Sequence, residues 1–312
     1  MARVPFNPKI GSIKTDAGNF SVDRAFLAHF NIPAALATAE SDTAVMALTA
    51  LGAEAASILT GFNAITTPRN VKVDGSAANM TGNVKVYGTN FAGEAIDETI
   101  ALNGVTAVAG NLAFLSVTKV DLPVRTNTPA KQKATVAVTQ GAQAAGSTEF
   151  TFISAITGDA FDITVPFLIG DDTTAEACTK LAAALNANAT FAAKWTATPS
   201  TANLLIESKT YEAQDATINL TVKTAGDSAI TLGAISVDTV SGVAEDKVSV
   251  GVGKKFGIPY MLSADELVIV KLFNNSADSG AVTPDDDEIE KNVIALNGTP
   301  DGLKPIDLYI LV

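Results

Sequence analysis

From Ile65 onward, apolar and polar side chains alternate in short runs closed by turn residues, the period-two signature of strands with one buried and one wet face. Residues 69–73 alternate and end at Asp74-Gly75, a hairpin signal, and residues 83–87 repeat the texture and end at Gly88. Ile96, Glu98, Ile100 and Leu102 follow and close at Asn103-Gly104, after which residues 112–120 read as the next strand. Runs of five to eight residues between turns suit an antiparallel sandwich or barrel.

The alternation stops at residues 123–133, where prolines and charge replace it and a linker is expected. A different unit follows, with strands near 149–153, 161–165, 204–208 and 218–222 and one helix. That helix opens with Thr173-Thr-Ala-Glu176, a capping box, and carries Cys178, Leu181, Ala182 and Leu185 at i, i+3, i+4 and i+7. Its apolar stripe must face a sheet, which makes Cys178 a small core residue rather than a reactive thiol. After Ser241-Gly242 the first texture returns over 247–252, 266–273, 293–296 and 306–312, and residues 294–298 repeat residues 100–104 letter for letter.

The pattern predicts a mainly β protein: an antiparallel, sandwich-like base domain formed by residues 31–125 plus 243–312, an inserted small α+β domain at 133–240, and an extended N-terminal arm at 1–30. The arm shows neither a strand nor a helix period over its length, yet Phe6, Phe20, Phe26 and Phe30 lie in it among Pro5, Pro8, Gly11 and Gly18. Large apolar side chains on an irregular arm are buried either on their own domain or on a neighbouring subunit. These four phenylalanines are the candidate assembly interface.

Composition narrows the function. One histidine, His29, and one cysteine, Cys178, leave no cluster from which to build a metal site or a nucleophile–base pair, so an enzyme is not expected and no cofactor or metal is assigned. With 17% charged residues and a net charge of −12, the chain lacks the clustered Lys and Arg that a nucleic acid partner requires. The long weakly charged run at 44–62 is broken by Gly52 and carries Glu54, which argues against a membrane span. Pro5 and Pro8 stand where a secretion signal needs an apolar helix, so synthesis and assembly in the cytoplasm are expected.

Several motifs invite chemistry and have plainer readings. Gly251-Val-Gly253-Lys-Lys-Phe-Gly257 fits neither phosphate-binding spacing and reads as a strand-ending turn. The run 285–290 and Asp171-Asp172 lack the spacing of a calcium loop, and read as a solvated acidic loop and as negative charge near a helix N-terminus. His29 reads as surface or interface packing. Trp195 and Tyr211 read as core or rim residues, with stacking on a sugar ring as the alternative. The sequons at Asn79 and Asn219 are chance in a Thr-rich chain.

Residues 67–75 (Thr-Pro-Arg-Asn-Val-Lys-Val-Asp-Gly), the strands at 84–99 and 112–123, and residues 246–260 together resemble virion structural proteins of tailed bacteriophages, of the head decoration, head fibre or minor capsid type. The inserted unit is similar to small β-rich modules of phage tail and sheath proteins, in its helix at 173–188, its Trp-Thr-Ala strand at 195–197 and its Lys-Thr-Ala-Gly turn at 223–226. The resemblance implies a virion protein, assembled in the host cytoplasm, that decorates and stabilises the capsid as a homo-oligomer, a trimer by analogy. Its implied partners are the major capsid protein and neighbouring copies of itself. No catalytic residue carries over. Two alternatives stay open: a tail tube, sheath or baseplate component, and a carbohydrate-binding or adhesin module using Trp195 or Tyr211.

Overall fold

The β-branched, alternating texture becomes strand along about half of the chain. A computed structural model describes residues 13–14, 21–22, 27–158, 160–263 and 269–311. It is mainly β, and the strand pairings among the described residues are antiparallel. The chain divides into two compact units, residues 1–124 with 247–312 and residues 125–246.

The first unit begins with β1 (Ile13–Lys14) and β2 (Ser21–Val22), then β3 (Leu27–Ile32), β4 (Ser41–Ala50), β5 (Ala56–Ile58), β6 (Arg69–Gly75), β7 (Asn83–Thr89), β8 (Ala95–Ala101), β9 (Val108–Phe114) and β10 (Ser116–Leu122). The second unit holds β11 (Lys133–Gln140), β12 (Gly146–Ile153), β13 (Phe161–Phe167), helices α1 (Thr174–Ala187) and α2 (Ala189–Lys194), β14 (Trp195–Ser200), β15 (Asn203–Ser208), β16 (Asn219–Thr224), β17 (Thr231–Leu232) and β18 (Ser236–Val240). The first unit resumes with β19 (Lys247–Gly257), β20 (Ile269–Phe273), β21 (Ser276–Ala277), β22 (Ala281–Thr283), β23 (Val293–Ala295) and β24 (Ile306–Leu311).

The first unit is sandwich-like. One sheet runs β22-β23-β19-β6-β9 with β4 also on β19, and a second runs β5-β10-β7-β8. Val71 and Val73 of β6, Val248 and Val250 of β19, Val84 and Val86 of β7 and Val120 of β10 share one fully buried core. Burying each such side chain is worth roughly 1.5–3 kcal/mol. A third sheet, β21-β20-β24-β3, has its own core, in which Ile32, Ile306 and Leu308 meet Phe256, Ile258 and Ile294.

Four expectations need correction here. Asp74-Gly75 makes no hairpin, because β6 lies between β19 and β9 while β7 belongs to the other sheet. Gly75 is needed for a close approach instead: a Cβ there would overlap the Gly104 carbonyl oxygen. The run 112–120 is two strands that change sheet at Leu115, whose N–H donates to the Thr89 carbonyl at 2.8 Å. The segment 251–257 is no turn but the last seven residues of β19 itself, with the register slipping between Val252 and Phe256. The arm, finally, is regular at its end, since residues 27–30 belong to β3, paired along β24.

In the second unit β14-β15-β11 form a sheet whose far edge carries both β17 and β18 on β11, and β13-β12-β16 form another. The capping box forms as expected, with Thr173 accepting from the Glu176 N–H and the Glu176 side chain reaching back. Cys178, Leu181, Ala182 and Leu185 are all buried, and α1 packs on β13, β11, β14 and β15. Burial pushes the Cys178 thiol up, as suits a packing residue. Phe152 anchors the core, edge-on to Phe191 at 5.0 Å and to Trp195 at 6.4 Å.

Candidate assembly surfaces

The buried polar side chains hold backbone together. Arg69 sits in phase with Val71 and Val73, and a guanidinium buried there must find partners for all its donors. It donates to the Gly253 carbonyl, to the Thr38 carbonyl and hydroxyl, both at 3.0 Å, and to the Ala39 carbonyl at 3.3 Å, and it stacks 4.3 Å above the Phe256 ring. Burial pulls its pKa down to about 10, so it stays charged at neutral pH. The effect is to bind the segment before β4 to the middle of the main sheet.

In the second unit Asp215 does the corresponding work. Its carboxylate accepts from the Ser154 hydroxyl at 2.7 Å, the Thr217 hydroxyl at 2.6 Å and the Thr217 N–H at 2.8 Å. The Trp195 indole N–H donates to Ser154 at 3.2 Å, and Gln132 bonds the Asp215 backbone in both directions. Burial raises the Asp215 carboxyl, but the hydrogen bonds from Thr217, Ser154 and the Ile156 N–H leave it below the usual aspartate value. Asp246, also buried, accepts from the Thr126 and Asn127 N–H groups at 2.7 and 2.6 Å, and with the Ala130–Val243 bridge it ties the two ends of this unit together.

Edge strands carry their own devices. Glu98 of β8 reaches across to β9, accepting the Asn111 N–H at 2.6 Å and the Leu112 N–H at 3.3 Å, so one carboxylate stands in for a missing neighbour strand. Burial keeps its carboxyl above the ordinary glutamate value despite those bonds. A cleft of about 480 Å³ beside it is lined by Asp97, Glu98, Asn111, Lys255, Asp285 and Lys291. Its charges are mutually satisfied: Lys255 donates to Asn111 at 2.7 Å, Lys291 pairs with Glu288 and Asp285, and Asp97 pairs with Lys85. Asp285 of the acidic loop caps the Asp287 and Glu288 N–H groups.

Of the four candidate interface residues, Phe30 lies on edge strand β3, half-buried against the Ile32–Phe256 core, while Phe6, Phe20 and Phe26 lie outside the described residues. His29 is a cross-strand surface residue, its ring stacked 4.5 Å from that of Tyr309 and its Nε2 2.8 Å from Asp307. Trp195 is fully buried, which removes it from any sugar-binding surface, and Tyr211 alone remains exposed.

A groove of about 740 Å³ opens in the second unit between β16 and the segment from β17 to β18. Elsewhere on that unit, the turn after β13 presents Leu168 and Ile169, the latter 88% exposed. The turn is braced by Asp171, which caps the Leu168 N–H at 2.6 Å and pairs with Lys180.

Among the described residues no group of three or more His, Cys, Asp or Glu side chains is placed to hold a metal ion, and no helix is long and apolar enough to cross a membrane. Comparison of the chain with protein-family models, with curated proteins and with solved structures finds no match.

Proposed function

We propose that this chain is a structural protein of a tailed-bacteriophage virion that binds the capsid surface as a decoration, stabilising or head-fibre protein, with the major capsid protein and neighbouring copies of itself as partners. The observation that carries this reading is the use of the buried polar side chains. Arg69, Asp215 and Asp246, and with them the half-buried Glu98, spend their hydrogen-bonding capacity on backbone groups and neighbouring hydroxyls and amides, which stiffens sheets rather than preparing a reaction on a bound substrate. Stiff sheets with apolar surface left at their edges suit a part that must seat many copies on a lattice.

The arm is the proposed contact with the particle. Because residues 27–30 belong to β3 and Phe30 packs on the core, a truncation that tests the arm has to stop at residue 26. Removing residues 1–26 is expected to abolish co-sedimentation with capsids that lack this protein while leaving the β-core folded, as read by a cooperative thermal transition and a β-type far-ultraviolet circular dichroism spectrum. Full retention of binding by the truncated chain would overturn the assignment. Stacked rings or tubes of the intact protein in electron micrographs would move it to the tail.

A further inference from the structure

We propose that Lys255 and Asn111 become joined within the chain by an amide bond between the lysine Nζ and the asparagine Cγ, with Glu98 carrying the proton. The Lys255 Nζ donates to the Asn111 side-chain oxygen at 2.7 Å. That oxygen is bonded to the carbon an amine would attack, so nucleophile and electrophile are already side by side.

The two side chains come from strands that are not neighbours, since β6 lies between β19 and β9 in the main sheet. Two register slips bring them together. The pairing of β19 with β6 slips between Val252 and Phe256, and that of β9 with β6 between Asn70 and Lys72, so Lys255 and Asn111 each stand on an irregular stretch. Asn70, buried on β6 between them, holds both stretches. Its side-chain N–H donates to the Gly110 carbonyl at 2.8 Å, and its side-chain oxygen accepts from the Lys255 N–H at 2.9 Å. Glu98 completes the group from β8, through its bond from the Asn111 N–H at 2.6 Å. A Cβ at Gly110 would overlap the Glu98 carboxylate, so the glycine is what admits it.

Lys255 and Glu98 line one cleft with Asn111. Lys72 of the same sheet is held in ion pairs by Asp42 and Glu40, whereas the Lys255 Nζ is given to an amide. Burial makes the Glu98 carboxylate hold protons more tightly than an ordinary glutamate, although the Asn111 and Leu112 N–H groups and the charge of Lys255 pull the other way. In the reaction Glu98 takes a proton from the Lys255 ammonium, and the neutral amine forms its bond to Cγ. The bond from Cγ to the asparagine nitrogen then breaks, and that nitrogen leaves as ammonia with the protons returned by Glu98 and the amine. Ammonium ion is released, so atoms and charge balance with no oxidant or cofactor. Asn111 and Lys255 are 144 positions apart, so the bond closes a covalent loop of chain that contains residues 125–246, the whole second unit. It also staples edge strand β9 to β19 across β6. The bond goes beyond the particle reading and does not depend on it.

The full chain, recovered unfolded from inclusion bodies and refolded at neutral pH, is followed by intact-mass spectrometry. The expected result is a loss of about 17 Da, one ammonia, with a tryptic peptide branched at Lys255 and Asn111. Retention of the full mass after days in the folded state would overturn the proposal, as would the same loss in Lys255→Arg. A gain of about 1 Da, which is hydrolysis of an asparagine, would also overturn it. Glu98→Gln still offers an oxygen to the Asn111 N–H but cannot carry the proton. It is expected to form the bond at least tenfold more slowly while refolding to the same circular dichroism spectrum, and an undiminished rate would overturn the role of Glu98.

Discussion

Arg69 and Asp215 show how much of this structure turns on single polar side chains in apolar surroundings. Each has a charge withdrawn from water, and each recovers the cost through several short hydrogen bonds to backbone and hydroxyl groups. For Asp215 the consequence is a pH dependence of defined sign. Its folded-state pKa lies below the unfolded value of about 3.9, so its stabilisation is fully present above that value and fades as the pH falls through the folded one. Asp215→Asn is expected to lower unfolding free energy at pH 7 by about 2 kcal/mol, in line with hydrogen bonds to a charged group. It is also expected to flatten the loss of stability below about pH 4. Urea titrations of both proteins at a series of pH values measure this, and an unchanged acid slope would contradict it. Arg69 stands in phase with Val71 and Val73, but the sequence pattern read as plain alternation over 69–73 and did not single it out. Of the partners of Asp215, only Thr217 is local, while Ser154 and Gln132 stand 61 and 83 residues away and were not legible.

At the level of elements, regular local patterns were legible and sheet membership was not. Helix α1 could be read to its cap because its signals, Thr173, Glu176 and the stripe from Cys178 to Leu185, all lie within one short window. The turn at Asp74-Gly75 looked like a hairpin for the same local reason, yet which strand pairs with β6 is decided by cores that form between distant residues. Strand β4 was missed because its pairing with β19 slips register twice, between Val248 and Val250 and between Val250 and Val252, which erases clean alternation. The glycines of β19 have the same origin. A Cβ at Gly251 would overlap the Ser41 carbonyl oxygen, and one at Gly253 would overlap the Asn70 side chain. Gly251→Ala is therefore expected to push β4 off β19 and destabilise the first unit by about 1–3 kcal/mol, as overpacking does. Chemical denaturation reads the loss, and wild-type stability in the variant would show that β4 is not seated as described.

At the scale of the whole molecule, two sheet-built units and a phenylalanine-bearing arm make a chain suited to holding position. The candidate interface was legible only in part. Phe30 could be picked out as a large apolar residue, but its place on β3 depends on β24, at the opposite end of the chain. The groove beside β16 could not be read at all, since its two walls come from different sheets and its lining residues look like ordinary strand residues. What unites these features is the claim that the chain is a building part of a virus particle. Quantitative mass spectrometry of tailed-phage particles purified from a culture that produces this chain tests that proposal most directly. The account predicts this chain at a fixed ratio to the major shell protein from one preparation to the next, whereas abundance in the lysate with none retained on purified particles would contradict it.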